Sequence, residues 1–141
     1  MPAKPLRLHA TDADDLEVLS AHAQDMVVRV EDMAFQPREA RFALAGARFC
    51  RAGSRGPLGK RCLAGMHFDF VRKASRIGFD RAADGTANLL AIFFVPGEAP
   101  AGEVVLTFSD GALVRLTVDC VEAQMRDLTP AWPARAKPHH D

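Results

Sequence analysis

The strongest constraint on the fold is a change of hydrophobic period near residue 25. Before it, Leu16, Leu19, Ala23 and Met26 recur at helical spacing; after it, apolar residues alternate with a period of two through most of the chain to Val118. Thr11 followed three positions later by Asp14 is a capping-box pattern, so a helix is expected over 12–24. Asp12, Asp14, Asp15 and Glu17 fall near its positive N-terminal end. Leu6 to His9 reads as a short strand ahead of it.

The strand-period region resolves into hairpins when each loop length is judged by which residues it places opposite one another. Gln36-Pro37-Arg38-Glu39 suits a type I turn with Pro at its second position, which sets Phe35 against Ala40 and Met33 against Phe42. Val28 and Val30 then fall on the opposite face, and a bulge near Glu31-Asp32 is expected. In the second hairpin, a loop over 51–61 sets Cys50 against Cys62, Gly46 against Met66, Leu44 against Phe68 and Phe42 against Phe70. The other face of that pair carries Ala43, Ala45, Ala47 and Gly65, small residues on which the helix is expected to pack.

The third hairpin discriminates best. A two-residue Asp110-Gly111 turn would put Leu106 on a face with Arg115. A three-residue loop, Ser109-Asp110-Gly111, instead matches Phe108 with Ala112, Leu106 with Val114 and Val104 with Leu116, and its last position commonly needs the positive φ that Gly111 supplies. Leu89 to Val95 reads as a further, more buried strand ending in the Pro- and Gly-containing loop 96–102. Beyond Val118, Val121, Met125 and Leu128 suit a short helix, and Val121, Ala123 and Met125 suit a strand; the helix is slightly favoured. Pro130, Pro133 and Pro138 make 130–141 an extended tail, anchored by Trp132, after a single domain over 1–129.

These elements predict an α+β fold. One N-terminal helix packs on a twisted, mostly antiparallel sheet of about seven strands, curled into a partly open barrel or pleckstrin-homology-like roll. A chain of 141 residues with 48% hydrophobic content can bury such a core without metals or disulfides. No apolar run is long enough for a membrane span and Met1-Pro2-Ala3-Lys4-Pro5 lacks a signal-peptide core, so a cytoplasmic protein without membrane contact is expected. Cys50, Cys62 and Cys120 are then expected as buried reduced thiols, with a Cys50–Cys62 disulfide or a metal pair as the sharper alternatives.

Several phrases carry a resemblance: Asp25-Met26-Val27-Val28-Arg29-Val30, Arg41-Phe42-Ala43-Leu44, Pro96-Gly97-Glu98-Ala99-Pro100 and Asp119-Cys120-Val121-Glu122-Ala123-Gln124. They resemble a small bacterial domain-of-unknown-function family, number 2948, over nearly the whole chain. The resemblance implies a single-domain protein and brings no activity, cofactor or catalytic residue with it.

Function must therefore be sought in the charges. The formal net charge is zero, yet residues 1–39 carry 4 Lys/Arg against 8 Asp/Glu, 40–81 carry 10 against 2, and 82–141 carry 4 against 8. Arg48, Arg51, Arg55, Lys60 and Arg61 surround Gly53, Ser54, Gly56 and Gly59, and no acidic residue lies between Glu39 and Asp69. Guanidinium groups on such a loop can grip an anion bidentately while glycines admit its close approach. A general nucleic-acid binder is disfavoured, because the pI is near 7.0, Tyr is absent and the nine Phe mostly occupy core positions.

No Walker, Rossmann or CxxC pattern is present, and no cofactor, metal site or catalytic residue is assigned. The expected function is a non-enzymatic binding or interaction domain that contacts an anionic ligand or a protein partner through loop 48–61. One alternative is a small enzyme built around His67 and Asp69, which share a strand face. The other is a structural or regulatory protein that self-associates, as a homodimer, through an exposed sheet edge or an apolar face.

Overall fold

The fold was described from a computed structural model, over residues 5–49, 60–81, 85–128 and 132–133. Strand β1 (Arg7–Ala10) leads into helix α1 (Ala13–Ala23), and ten strands follow. They are β2 (Met26–Arg29), β3 (Ala34–Gln36), β4 (Arg41–Phe49), β5 (Lys60–Phe68), β6 (Val71–Ile77), β7 (Thr86–Pro96), β8 (Gly102–Phe108), β9 (Leu113–Val118), β10 (Ala123–Asp127) and β11 (Trp132–Pro133). All belong to one sheet in the order β1-β10-β5-β4-β2-β7-β8-β9-β6, with β11 beside β5 and β3 beside β4. Every pairing is antiparallel.

The fold class is thus as expected, but the strand count is not seven. The strands not foreseen are β6, β10 and β11: β10 and β11 have only five and two residues, and the seven residues of β6, Val71-Arg72-Lys73-Ala74-Ser75-Arg76-Ile77, carry too few apolar side chains to show alternation in sequence. The C-terminal helix does not form either. Residues 123–127 are strand β10, inserted between β1 and β5, with Ala123 and Met125 buried. The free edge of β5 decides this, since a strand there satisfies backbone groups that a helix would leave orphaned. In the tail, Trp132 and Pro133 pair along β5 with Arg61 and Lys60.

Helix α1 is capped one residue later than the sequence suggests. Asp12 accepts from the Asp15 N–H at 2.8 Å, while the Asp15 carboxylate reaches back to the Thr11 N–H at 3.1 Å, a reciprocal box built from two aspartates. Leu16, Leu19 and Ala23 are fully buried as expected, but not on the Ala43/Ala45/Ala47/Gly65 face. The helix lies instead against β7 and β1 on the core side. The open edge of β7 explains the choice: beyond Leu89, β7 has left its partner β2, and Ser20 Oγ accepts the Ile92 N–H at 2.8 Å. Ala43, Ala45 and Ala47 stay partly exposed.

Three hairpins show what residue pattern can determine. The β8–β9 register matches expectation, with Leu106 opposite Val114 and Val104 opposite Leu116, and Gly111 sits at φ 77°. The β3–β4 register is displaced by two residues, so Phe35 faces Phe42. The turn runs Pro37 to Ala40, with the Ala40 N–H donating to the Pro37 carbonyl at 3.2 Å, and Pro37 is its first residue rather than its second. The β2–β3 interruption falls where expected, as a 3-10 turn at Val30–Asp32.

The β4–β5 register is likewise displaced by two. Phe42 faces Phe68, Leu44 faces Met66 and Arg48, not Cys50, faces Cys62. A shift of two leaves every residue on its own face, so hydrophobic alternation cannot detect it. The junction into β6 sets it: Phe70 turns out of the sheet at φ 58° and is 46% exposed, while the Val71 N–H donates to the Ala40 carbonyl at 2.8 Å. Gly46 allows β2 to approach β4, since a Cβ there would lie 2.5 Å from the Val27 carbonyl oxygen.

One core runs through the molecule, in which Phe42, Phe68, Phe108, Leu89, Leu106 and Leu116 are buried together with the α1 stripe. Each such side chain contributes roughly 1.5–3 kcal/mol by leaving water. The β7 strand is less buried than expected. Leu90, Phe93 and Val95 are about half exposed, because α1 and the core cover only one of its faces.

A candidate anion-binding face on the outer sheet

Of the five basic residues singled out by sequence, Arg48 and Arg61 are described with their side chains, and these two take opposite faces of the sheet. Arg48 is withdrawn from solvent. It lies on the core side of β4, where its Nε and Nη2 donate to the two Asp127 oxygens at 2.8 and 2.9 Å and its Nη1 donates to the Phe49 carbonyl at 2.9 Å. Both side chains of this pair are more than nine-tenths covered. Asp127 also accepts the Leu6 N–H at 2.8 Å, so the pair ties β4, β10 and the entry to β1 together. Burial pushes the Asp127 carboxyl up, but the hydrogen bonds from Arg48 and Leu6, with the Arg48 charge, outweigh it and hold its pKa below the usual carboxylate value.

Arg61 faces outward at the start of β5, with its guanidinium 3.8 Å from the centroid of the Phe49 ring and its Nη1 donating to the Ala47 carbonyl at 3.2 Å. Burial lowers its pKa and Asp25 raises it in part. No carboxylate forms an ion pair with it among the described residues. Arg51, Arg55 and Cys50 lie outside the described residues, and Lys60 is described only by its backbone pairing with Pro133.

Alternation along β5 places Leu63, Gly65 and His67 on the same outer face as Arg61. Cross-strand register extends that face outward: His67 faces Gln124, which faces His9, and Gly65 faces Arg126, which faces Arg7. At its far end Arg41 Nε donates to Asp69 Oδ1 at 2.7 Å. His67 Nδ1 is 3.4 Å from Asp69 Oδ2, outside hydrogen-bond geometry, and is buried without a hydrogen-bond partner. Burial lowers the His67 pKa most; Asp69 raises it, and Arg41 and Arg126 lower it again. The imidazole is therefore neutral near pH 7.

His67 and Asp69 do come together as the shared strand face implied. Asp69 is already held by Arg41, however, and two surface depressions are lined by other groups, one around Gly78 and Phe79 and one around Lys73 and Arg115. No cluster of three His, Cys, Asp or Glu among the described residues is placed to hold a metal ion. Cys62 is disulfide-bonded, not the reduced thiol expected, whereas Cys120 is a free thiol whose pKa is raised by burial and then by Glu122 and Asp119. No described helix is long and apolar enough to cross a membrane.

Sequence reasoning missed Arg7 and Arg126. Both are exposed, and neither makes a hydrogen bond or ion pair through its side chain among the described residues. Their juxtaposition had no signal in the sequence, because it depends on β10 being a strand and on its register with β1.

The fold is a small α+β domain whose outer β5–β10–β1 face carries Arg61, Arg126 and Arg7. The family model described as "Protein of unknown function (DUF2948)" matches residues 6–140, and the chain belongs to that family. No curated protein and no solved structure matches it.

Proposed function

We propose that the protein is a non-enzymatic binding domain that engages an anionic partner at the loop end of the β4–β5 hairpin. The observation that carries this reading is Arg61, whose cation rests on the half-exposed Phe49 ring instead of on a carboxylate. A guanidinium held over a ring, with Nη1 on the Ala47 carbonyl, leaves its other donors for an oxyanion. Lys60 and Arg61 enter β5 at this end, and Arg51 and Arg55 belong to the same connection in sequence. Arg48 has a different part in this reading: with Asp127 it braces the base of the hairpin.

In finer detail the sheet is read as a partly open roll. The β6 strand returns toward the start of β4 through the Val71 to Ala40 hydrogen bond, and Arg76 donates to the Met33 carbonyl across the gap. Such curvature leaves the β5–β10–β1 face on the outside. The test is a titration of labelled single-stranded RNA and DNA at low and high salt. Binding is expected at low salt, falling as salt rises and falling again on Arg51→Ala, Arg55→Ala and Arg61→Ala. Absence of binding at low salt, or binding indifferent to these changes, removes the nucleic-acid form of the proposal.

A further inference from the structure

Away from the hairpin end, we infer that Arg7 and Arg126, opposed across β1 and β10, form a second anion site that takes a phosphate group. The argument begins with the register. Leu6 and Asp127 lie opposite each other and share the Asp127 N–H to Leu6 carbonyl hydrogen bond at 3.0 Å. Hydrogen-bonded and non-hydrogen-bonded pairs alternate along an antiparallel ladder, so Arg7 and Arg126 occupy a non-hydrogen-bonded pair, the type in which side chains stand closest. Like charges directly opposite one another destabilise a sheet.

Among the described residues no ion pair or side-chain hydrogen bond relieves that repulsion. On its other side Arg126 faces Gly65, which has no side chain, and Leu128 lies over that glycine. Among the described residues, the carboxylates of this region are engaged elsewhere: Asp69 by Arg41, Glu122 by His9, and Asp127 by Arg48 and the Leu6 N–H. The charges left over are both positive, both guanidinium and both exposed. Gln124, exposed two residues along β10, adds an amide donor on the same face, and His67 stands opposite it. Burial lowers the His67 pKa most, Asp69 opposes it, and the charges of Arg41 and Arg126 lower it further.

Two planar guanidinium forks carried on opposed backbone positions suit the several oxygens of one phosphate better than a point charge, and a bound dianion would turn a repulsive pair into an attractive triad. The face is open rather than enclosed, so the phosphate arrives either as a free ion or on a chain lying across the strands. The shared chemistry is the phosphate oxyanion.

The test is amide and arginine side-chain NMR of the full chain, titrated with inorganic phosphate and, separately, with a short single-stranded oligodeoxynucleotide. Sodium chloride at equal ionic strength is the control. Saturable shifts at Arg7, Arg126 and Gln124 beyond those from chloride are expected with at least one of the two probes, and the probe that gives them identifies the source. Arg7→Gln and Arg126→Gln each weaken binding on the order of tenfold, as for loss of a charged hydrogen-bond donor. Arg51→Ala, Arg55→Ala and Arg61→Ala leave these shifts in place, which separates this site from the hairpin proposal. Shifts no larger than those from chloride for both probes, or shifts that persist in the Arg7→Gln/Arg126→Gln protein, overturn the inference.

Discussion

Arg126 and Asp127 are adjacent in sequence and opposite in circumstance. Asp127 points inward and closes a buried, bidentate ion pair with Arg48; Arg126 points outward, faces Arg7 and finds no carboxylate. The difference is one residue of strand alternation. On the core side a charge must be paired and hydrogen-bonded, because desolvation leaves no alternative. On the solvent side water can screen two like charges, so an unfavourable pair survives and becomes available to a ligand.

The comparison predicts unequal consequences for charge removal. Arg48→Ala or Asp127→Ala is expected to cost about 3–5 kcal/mol, because each strands a buried charge. A denaturant melt showing a loss below 1 kcal/mol would mean that the pair is not buried in solution.

The same pair should make the protein acid-sensitive. The folded-state pKa of Asp127 lies below its unfolded value, so its contribution is complete above the unfolded pKa and is lost as pH falls through the folded one. Chemical denaturation at stepped acidic pH should show a stability slope in the wild type that is reduced in Asp127→Asn.

The outer pair should behave in the opposite sense. Arg7→Gln or Arg126→Gln is expected to stabilise the ligand-free protein by about 0.2–1 kcal/mol at low salt, and by less as salt rises. Destabilisation by either change would show that the arginines are not repelling each other.

The smallest effect is read at one residue. Burial is the main cause of the depressed His67 pKa, with Arg41 and Arg126 adding to it and Asp69 opposing. Arg126→Gln should therefore move the His67 titration upward, and Asp69→Asn should move it downward, in proton NMR of the ring. For stability the depressed pKa of a base means that the imidazole weakens the fold as pH drops from its unfolded pKa through the folded one.

Legibility of the fold followed the physics of each element. The β8–β9 hairpin could be read outright, because only one loop length put Leu106 and Val104 against apolar partners and because Gly111 supplied the required φ. The β4–β5 hairpin could be read for face but not for register, since alternation is blind to a slide of two; the turn at Phe70 made the choice. Residues 123–127 suited either period, and the vacant edge of β5 resolved them. The basic cluster was visible as composition, but its division into the buried Arg48 and the outward Arg61 was not, because a string of arginines carries no mark of which face each will take.

The sequence by itself determined one helix, a series of antiparallel strands, the stripe Leu16, Leu19 and Ala23, and a middle segment rich in positive charge. These are local matters, set by side-chain period, capping and turn chemistry within a few residues. Tertiary structure alone decided that α1 covers the open edge of β7, that Asp127 meets Arg48, and that Arg7 meets Arg126. Each of those contacts joins segments far apart in the chain, and each depends on which strand edge remained free for a backbone that had to be hydrogen-bonded.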